Sequence, residues 1–557
     1  MAQKVTPALI LGAILFLALL IRIPATTYGL PYHVFGDEET NVYGAMKMLE
    51  LKTFLPVFHQ DDFKILYEPP LLALTYAVLF VPTIGPLWLL QGMPALSQLS
   101  ASLVLDPTVL WYVARIFSVC VSIGSLYLLY RIGKYLFKNE TIALTATLFL
   151  ALSFFETTLA STARHWTTAT FFSLLALFFL LKAFDTHKRR YVIFSGVALG
   201  CAFGVGYLVF YVPVIAVLVI WRVLDSRGGK ADKLKLFTTY SLSLAVPFAA
   251  FAALFVAIHP YPFFVQVINH VVDPATRSVQ AFVVYYAHIL WDFETPLTIG
   301  ALVGAMALVW SRNRLSILFA LFFAAVCIPM YIFLPNIERY VTPLLPMLAL
   351  LSGYGVYTLA SLVKERSRTI AVTALISALL IYSALLYYRY EVLIVKGDTR
   401  VAAKEWIEKN ISQNSNIITN SDRIRLFAIP AALAAQSRIA PETLRAPDRL
   451  LFENRANINN RLNVYPLYFA SSEEQKALVK DALQQDPHSY VVIDSWAKPS
   501  DALSQYKTRV MHFEGSAAVP GVDALFIGGD EHHAYQHVLS LLYGLNMLGP
   551  EISIYRL

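Results

Sequence analysis

Three acids in a row, Asp37, Glu38 and Glu39, stand in the stretch HVFGDEETNVYGAMKML just beyond the first apolar run of the chain. The residues that follow place Val42, Ala45, Met46 and Leu49 at the spacing of a short amphipathic helix. Acids at the start of such a helix gain about 0.3–1 kcal/mol from its dipole. Capping accounts for Glu39, but three acids exceed what a cap requires. A carboxylate partly desolvated at a membrane surface has a second use, taking the proton of an acceptor hydroxyl as that oxygen attacks an electrophile. Asp37 and Glu38 are the candidates for that role, with capping as the rival reading.

Candidate partners for an anionic substrate lie further along the chain. In PNIERYVTPLLPMLALLSGYG, Glu338, Arg339 and Tyr340 stand at the mouth of a long apolar run. An arginine there either snorkels towards water or offers its planar fork to a phosphate. Arg164 and His165 hold a similar place in STARHWTTATFF, and Arg115 in WYVARIFSVC lies at a comparable depth. Together these cations could line one pocket facing the acids. His259, Tyr261, His270 and Asp273 fall in AIHPYPFFVQVINHVVDP. Lacking HxxxH or HExxH spacing, they read as loop polars and no metal site is expected. A divalent cation is left open, and no other cofactor follows. Phosphate-binding, dinucleotide-binding and nucleophile-elbow motifs are absent where a strand would support them.

The elements that must position these groups follow from composition. Of 557 residues, 57% are hydrophobic and 15% charged, whereas a soluble domain is about 45–50% apolar and about 25% charged. The net charge of +7 sits in short clusters between apolar runs, as membrane loops require, which excludes nucleic acid as the partner. Cys120, Cys201 and Cys327 all lie inside apolar runs and read as buried hydrophobes. The first segment, VTPALILGAILFLALLIRIP, has no clean cleavage site and is expected to remain as a helix.

Runs of about 20 apolar residues suffice to span a bilayer. They occur near 6–23, 110–130, 141–159, 166–184, 191–206, 208–223, 238–258, 296–310, 315–334, 340–361 and 369–388. The fold expected is therefore a polytopic α-helical membrane protein with about eleven transmembrane helices. Lysine and arginine crowd one set of alternate loops, such as KAFDTHKRR and VKERSR, which puts the N-terminus in the cytoplasm. The loops 24–109 and 259–295 then fall on the outer face. Prolines and a glycine inside 70–92 favour short interfacial pieces over a hairpin of two crossings, which would give thirteen helices with the same orientation. Beyond residue 390, TRVAAKEWIEKN and SEEQKALVKDAL read as helices and SNIIT, SYVVID, TRVMHF and ISIYRL as strands. The expected division is a transmembrane catalytic domain over 1–389 and a soluble, extracytoplasmic α/β domain over 390–557.

Taken in order, FGDEET, YEPPLL, ARIFSVCVSIGSLYLLYRIGKYLF, ARHWTTATFFSLLALFFLLKAF, ERYVTPLLPMLALLSGYG and DTRVAAKEWIEKN resemble the GT-C glycosyltransferases, specifically the protein O-mannosyltransferases and lipid A aminoarabinose transferases. The resemblance implies transfer of a sugar, usually with inversion, from a polyprenyl phosphate in the outer or lumenal leaflet to a lipid, glycan or protein acceptor, among membrane lipids; the expected location is a prokaryotic cell membrane. It also implies Asp37 as general base, Glu38 as its neighbour orienting acceptor or base, and Arg339 as a contact to the donor phosphate. Relatives often carry a basic residue just before the paired prolines, where this chain has Glu68; either Lys64 substitutes or the phosphate is held differently. Many carry an aspartate after the arginine of the fourth segment, where Thr167 and Thr168 stand here. The WWD-type motif of oligosaccharyltransferases is absent. A transporter or flippase of a lipid-linked or charged solute is the alternative. It predicts ionisable groups deep within the helices, yet most here lie near helix ends.

Overall fold

The computed structural model describes residues 6–30, 36–95, 106–206, 210–226, 229–264, 278–312, 314–333, 337–413, 415–421, 428–440, 462–468, 470–485, 489–497, 508–515 and 537–556, with isolated positions between them. His270 and Asp273 lie outside the described residues.

Apolar runs bounded by turn residues become helices because a helix satisfies every backbone group internally, as hydrocarbon demands. In chain order these are α1 (Pro7–Arg22), α2 (Gly36–Glu50), α3 (Pro70–Leu90), α4 (Thr108–Phe137), α5 (Glu140–Ala151), α6 (Phe154–Ala160), α7 (His165–Thr186), α8 (Arg189–Val205), α9 (Tyr211–Leu224) and α10 (Lys230–Ile258). There follow α11 (Val279–Phe293), α12 (Thr295–Trp310), α13 (Arg314–Phe333), a 3₁₀ turn (Glu338–Leu344), α14 (Leu345–Ser361) and α15 (Glu365–Lys396). Among the described residues, eight helices are long and apolar enough to cross a membrane, or ten if each of two bent pairs forms one span. The expected eleven differ in two places. Helices α8 and α9 have only 17 and 14 residues. Conversely, the 70–92 run holds a single continuous helix, Pro70–Leu90, despite Pro82 and Pro86. Within it the Thr83 hydroxyl donates to the Leu79 carbonyl at 3.0 Å, and α3 keeps its course through both prolines.

The chain divides into two compact units, Met1–Thr26 with Asp37–Val78 and Val113–Tyr387, and Thr27–Gly36 with Leu79–Tyr112 and Tyr388–Leu557. Within the first, α7 packs on α8, α8 on α10, α12 on α14 and α14 on α5. Small residues permit the closest of these approaches. A Cβ added at Gly304 of α12 would meet the Leu351 carbonyl oxygen at 1.9 Å, and one at Gly355 would meet the Gly300 carbonyl oxygen at 2.5 Å.

Two helix breaks in this unit share one carboxylate. The α5/α6 pair bends by 60° and the α11/α12 pair by 117°. Buried Glu294 sits at the second break and caps the first, accepting from the Ser153 hydroxyl at 2.7 Å and the Phe155 amide at 2.8 Å.

The second unit holds α16 (Thr399–Asn410), α17 (Pro430–Ile439), α18 (Ser472–Gln485), α19 (Val538–Gly544) and strands β1 (Asn416–Thr419), β2 (Asn463–Pro466), β3 (Tyr490–Asp494), β4 (Thr508–Phe513) and β5 (Ile552–Arg556). The sheet order is β2-β1-β3-β5-β4, with β1 parallel to β2 and β3, and β5 antiparallel to β3 and β4. Alternate side chains feed two cores: Ile417, Val464 and Val492 pack with Ile407 of α16, and Ile418, Tyr465 and Val491 with Leu478 of α18. This is the small α/β fold expected past residue 390, with β2, α17 and α19 added. Strand β2 escapes sequence reading because it has four residues and ends on Pro466, which only an edge strand accepts readily.

Gly304→Val is expected to destabilise the protein by about 1–3 kcal/mol through overpacking of α12 on α14. Gly12→Val, where a Cβ meets nothing within 4 Å, is the control. Melting in detergent checks this, and equal melting temperatures for the two variants would refute the close packing.

Candidate active site

Helix α2 begins with the acid row. The backbone of Asp37 belongs to its first turn, while the Asp37 side chain lies outside the described part of the structure. Glu38 is fully buried and meets Arg115 of α4, equally buried, in a fork-to-fork pair: Nε donates to Oε1 at 2.9 Å and Nη2 to Oε2 at 2.8 Å. Arg115 Nη1 donates to the Thr26 carbonyl at 2.9 Å, and the Ala163 amide donates to Glu38 Oε1 at 2.6 Å. Two charges taken out of water are tolerable only with such complete bonding. The pair therefore fixes the start of α2 against the residue preceding Arg164 and His165.

A second contact series converges on the same place. The Thr40 hydroxyl donates to the Ile65 carbonyl at 3.0 Å and accepts from the Tyr67 amide at 3.1 Å, holding the 65–67 segment on α2. The His259 ring, just past the end of α10, donates from Nε2 to the Leu66 carbonyl at 2.6 Å. Tyr261 lies nearby, its ring centroid 6.3 Å from that of His259. The next residues carry Glu68, whose Oε2 is 2.8 Å from His165 Nδ1. His165 packs on Trp166, Trp166 on Tyr340 at 5.2 Å between centroids, and the Arg339 guanidinium lies 5.9 Å from the Tyr340 ring centroid. Glu338 and Arg164 are fully buried.

The sequence candidates thus fall into groups. Glu38 and Arg115 are brought together as an ion pair. His165, Tyr340 and Arg339 form one contact chain, and His259, with Tyr261 beside its ring, borders the 65–67 segment. Lys64 is exposed, and its amine pairs with Asp61 at 2.8 Å. Glu68, at the position where relatives carry a base, is the partner of His165. Sequence reading passed over a buried polar cluster. Arg22 Nε donates to Ser122 Oγ at 3.1 Å, and Ser122 donates to Glu156 Oε1 at 2.9 Å. The signal was Glu156 itself, an acid inside an apolar run, which merits scrutiny in any membrane helix. Among the described residues no group of three or more metal-ligating side chains occurs.

Residues 92–250 match a family model described as dolichyl-phosphate-mannose-protein mannosyltransferase. That stretch includes ARIFSVC and ARHWTTA, two of the stretches that carry the GT-C resemblance, so the resemblance and the match agree. With helices of spanning length, they describe a multi-pass integral membrane protein. Among solved structures, the chain is similar to the oligosaccharyltransferase AglB from Archaeoglobus fulgidus in complex with an inhibitory peptide and a dolichol-phosphate, at 11% identity, 87% of this chain, 69% of that chain and a TM-score of 0.49. It is also similar to ArnT from Cupriavidus metallidurans bound to undecaprenyl phosphate, at 13% identity, 87% of this chain, 92% of that chain and a TM-score of 0.47. No curated protein matches.

Removing one member of the Glu38–Arg115 pair, as in Glu38→Gln or Arg115→Gln, is expected to cost about 3–5 kcal/mol by stranding the other charge. The double variant should recover part of that loss; additive losses in detergent melts would contradict a direct pair.

Burial pushes the His259 ring down to about 4 from its ordinary 6.5, against the opposing bond to the Leu66 carbonyl. The folded ring stays neutral while the unfolded chain takes up a proton, so its stabilisation is complete above pH 6.5 and is lost as pH falls towards 4. The stability advantage of wild type over His259→Gln should therefore shrink across that window, by up to about 1.4 kcal/mol per pH unit. A pH-independent difference would contradict the burial of this ring.

Proposed function

We propose that this chain is an inverting membrane glycosyltransferase that moves a sugar from a polyprenyl-phosphate donor to an acceptor hydroxyl on a lipid, glycan or protein. The reaction takes place at the outer face of a prokaryotic cell membrane, with the N-terminus cytoplasmic and residues 390–557 forming an extracytoplasmic domain. The observation that carries the reading is the commitment of Glu38 to Arg115 and the Ala163 amide. It ties the start of α2 to the entrance of α7, and it leaves the base role to the preceding acid, Asp37.

In this account Asp37 accepts the acceptor hydroxyl proton as that oxygen attacks the anomeric carbon. The bond from that carbon to the phosphate oxygen breaks, and the polyprenyl phosphate departs with the electron pair. One displacement inverts the centre, so no covalent nucleophile is needed. Arg339 and Arg164 offset the negative charge gathering on the leaving phosphate. Glu38 and Arg115 act as positioning residues. His165, held by Glu68, stands at the entrance of α7 in place of the lysine contact that Lys64 was a candidate to supply.

Asp37→Asn should leave the elution profile and melting temperature close to wild type while lowering release of polyprenyl phosphate from a radiolabelled donor at least about 100-fold, the usual scale of a lost general base. Near-normal turnover would remove Asp37 from the mechanism. Movement of intact donor across the bilayer without bond cleavage would favour the transporter reading.

A further inference from the structure

A second cluster of chemistry lies at the far ends of α4 and α7, away from Arg115 and His165. Arg115 and Arg131 are both on α4, and their spacing puts them about 24 Å apart at 1.5 Å per residue. Around Arg131 an open cleft is lined by the cations Arg131, Lys134, Lys138 and Lys182, with Tyr127 and Tyr135 beside them.

The cations are held by rings more than by acids. Arg131 Nη1 donates to the Tyr127 hydroxyl at 2.7 Å, and its guanidinium carbon is 5.4 Å from the Phe178 ring centroid. Lys182 Nζ lies 4.6 Å from the Tyr191 ring centroid and Lys138 Nζ 4.2 Å from that of Tyr135. Glu140 is taken by Lys134 and the Tyr130 hydroxyl. Asp185 is the acid in the cleft lining. Among the described residues Arg131, Lys138 and Lys182 form no ion pair. Lys138 also sits in the left-handed region at φ 52°, a helix-end position that glycine fills at lower cost.

Aromatic rings hold cations in place without neutralising them, which leaves the cleft with an unspent positive field and one planar guanidinium fork. We propose that this cleft is a binding site for a phosphate ester, separate from the proposed sugar-transfer site. The ester is either the headgroup of an anionic membrane lipid or a soluble phosphate ester. Arg131 presents the fork to the phosphate oxygens, and Lys138 and Lys182 add point charges.

The test reconstitutes full-length protein in nanodiscs of mixed phosphatidylglycerol and phosphatidylcholine and counts retained lipid by native mass spectrometry. A parallel arm measures the melting temperature in detergent with and without glycerol 1-phosphate. Wild type is expected to retain phosphatidylglycerol several-fold over phosphatidylcholine, and Arg131→Gln with Lys182→Gln to lose that preference while keeping the wild-type elution profile. A glycerol 1-phosphate stabilisation in wild type that the double variant lacks supports the site and identifies a soluble source. If the double variant fails to fold, Lys138→Gln, at an exposed position, takes its place and should weaken retention. Absence of both effects in wild type, or a folded variant that keeps every effect wild type shows, overturns the proposal.

Discussion

The buried ion pair between Glu38 and Arg115 is the constraint on which the proposed site depends. Two charges removed from water are favourable only if nearly every polar atom finds a partner. Here the two carboxylate oxygens receive three donors, and the guanidinium also reaches the Thr26 carbonyl. The acid row is therefore more than an overfilled helix cap. One of its members, Glu38, joins α2, α4 and the approach to α7.

Other polar contacts extend the same logic through the first unit. The 65–67 segment is bonded to Thr40 on α2 and to His259 after α10, and Glu68 follows it to His165. Glu294 performs a comparable task elsewhere, joining the break between α11 and α12 to the start of α6. In apolar surroundings such bonds are specific because an unpaired alternative is costly. They place irregular backbone where a membrane helix alone would run straight.

Much of the fold was legible because hydrocarbon imposes long apolar runs, and those runs are plain in stretches such as ARIFSVCVSIGSLYLLYRIGKYLF. The β-branched and aromatic residues of SYVVID and ISIYRL likewise give β3 and β5. What escaped reading depended on tertiary context. Pro82 and Pro86 suggested broken pieces, yet α3 continues through them. Glu38 and Arg115 are 77 positions apart, and their spacing reveals neither to be the other's partner. Glu68 looked like the loss of a phosphate contact; the structure shows it beside His165, a pairing that no local pattern encodes.

The account's central claim is that the start of α2, the entrance of α7 and Arg339 surround one donor phosphate. An experimental structure with a non-hydrolysable polyprenyl-phosphate sugar bound tests it most directly. The account predicts phosphate density within hydrogen-bond reach of Arg339 or Arg164, with the Asp37 carboxylate turned towards the anomeric carbon. A phosphate seated elsewhere, with Asp37 facing away from the sugar, would contradict it.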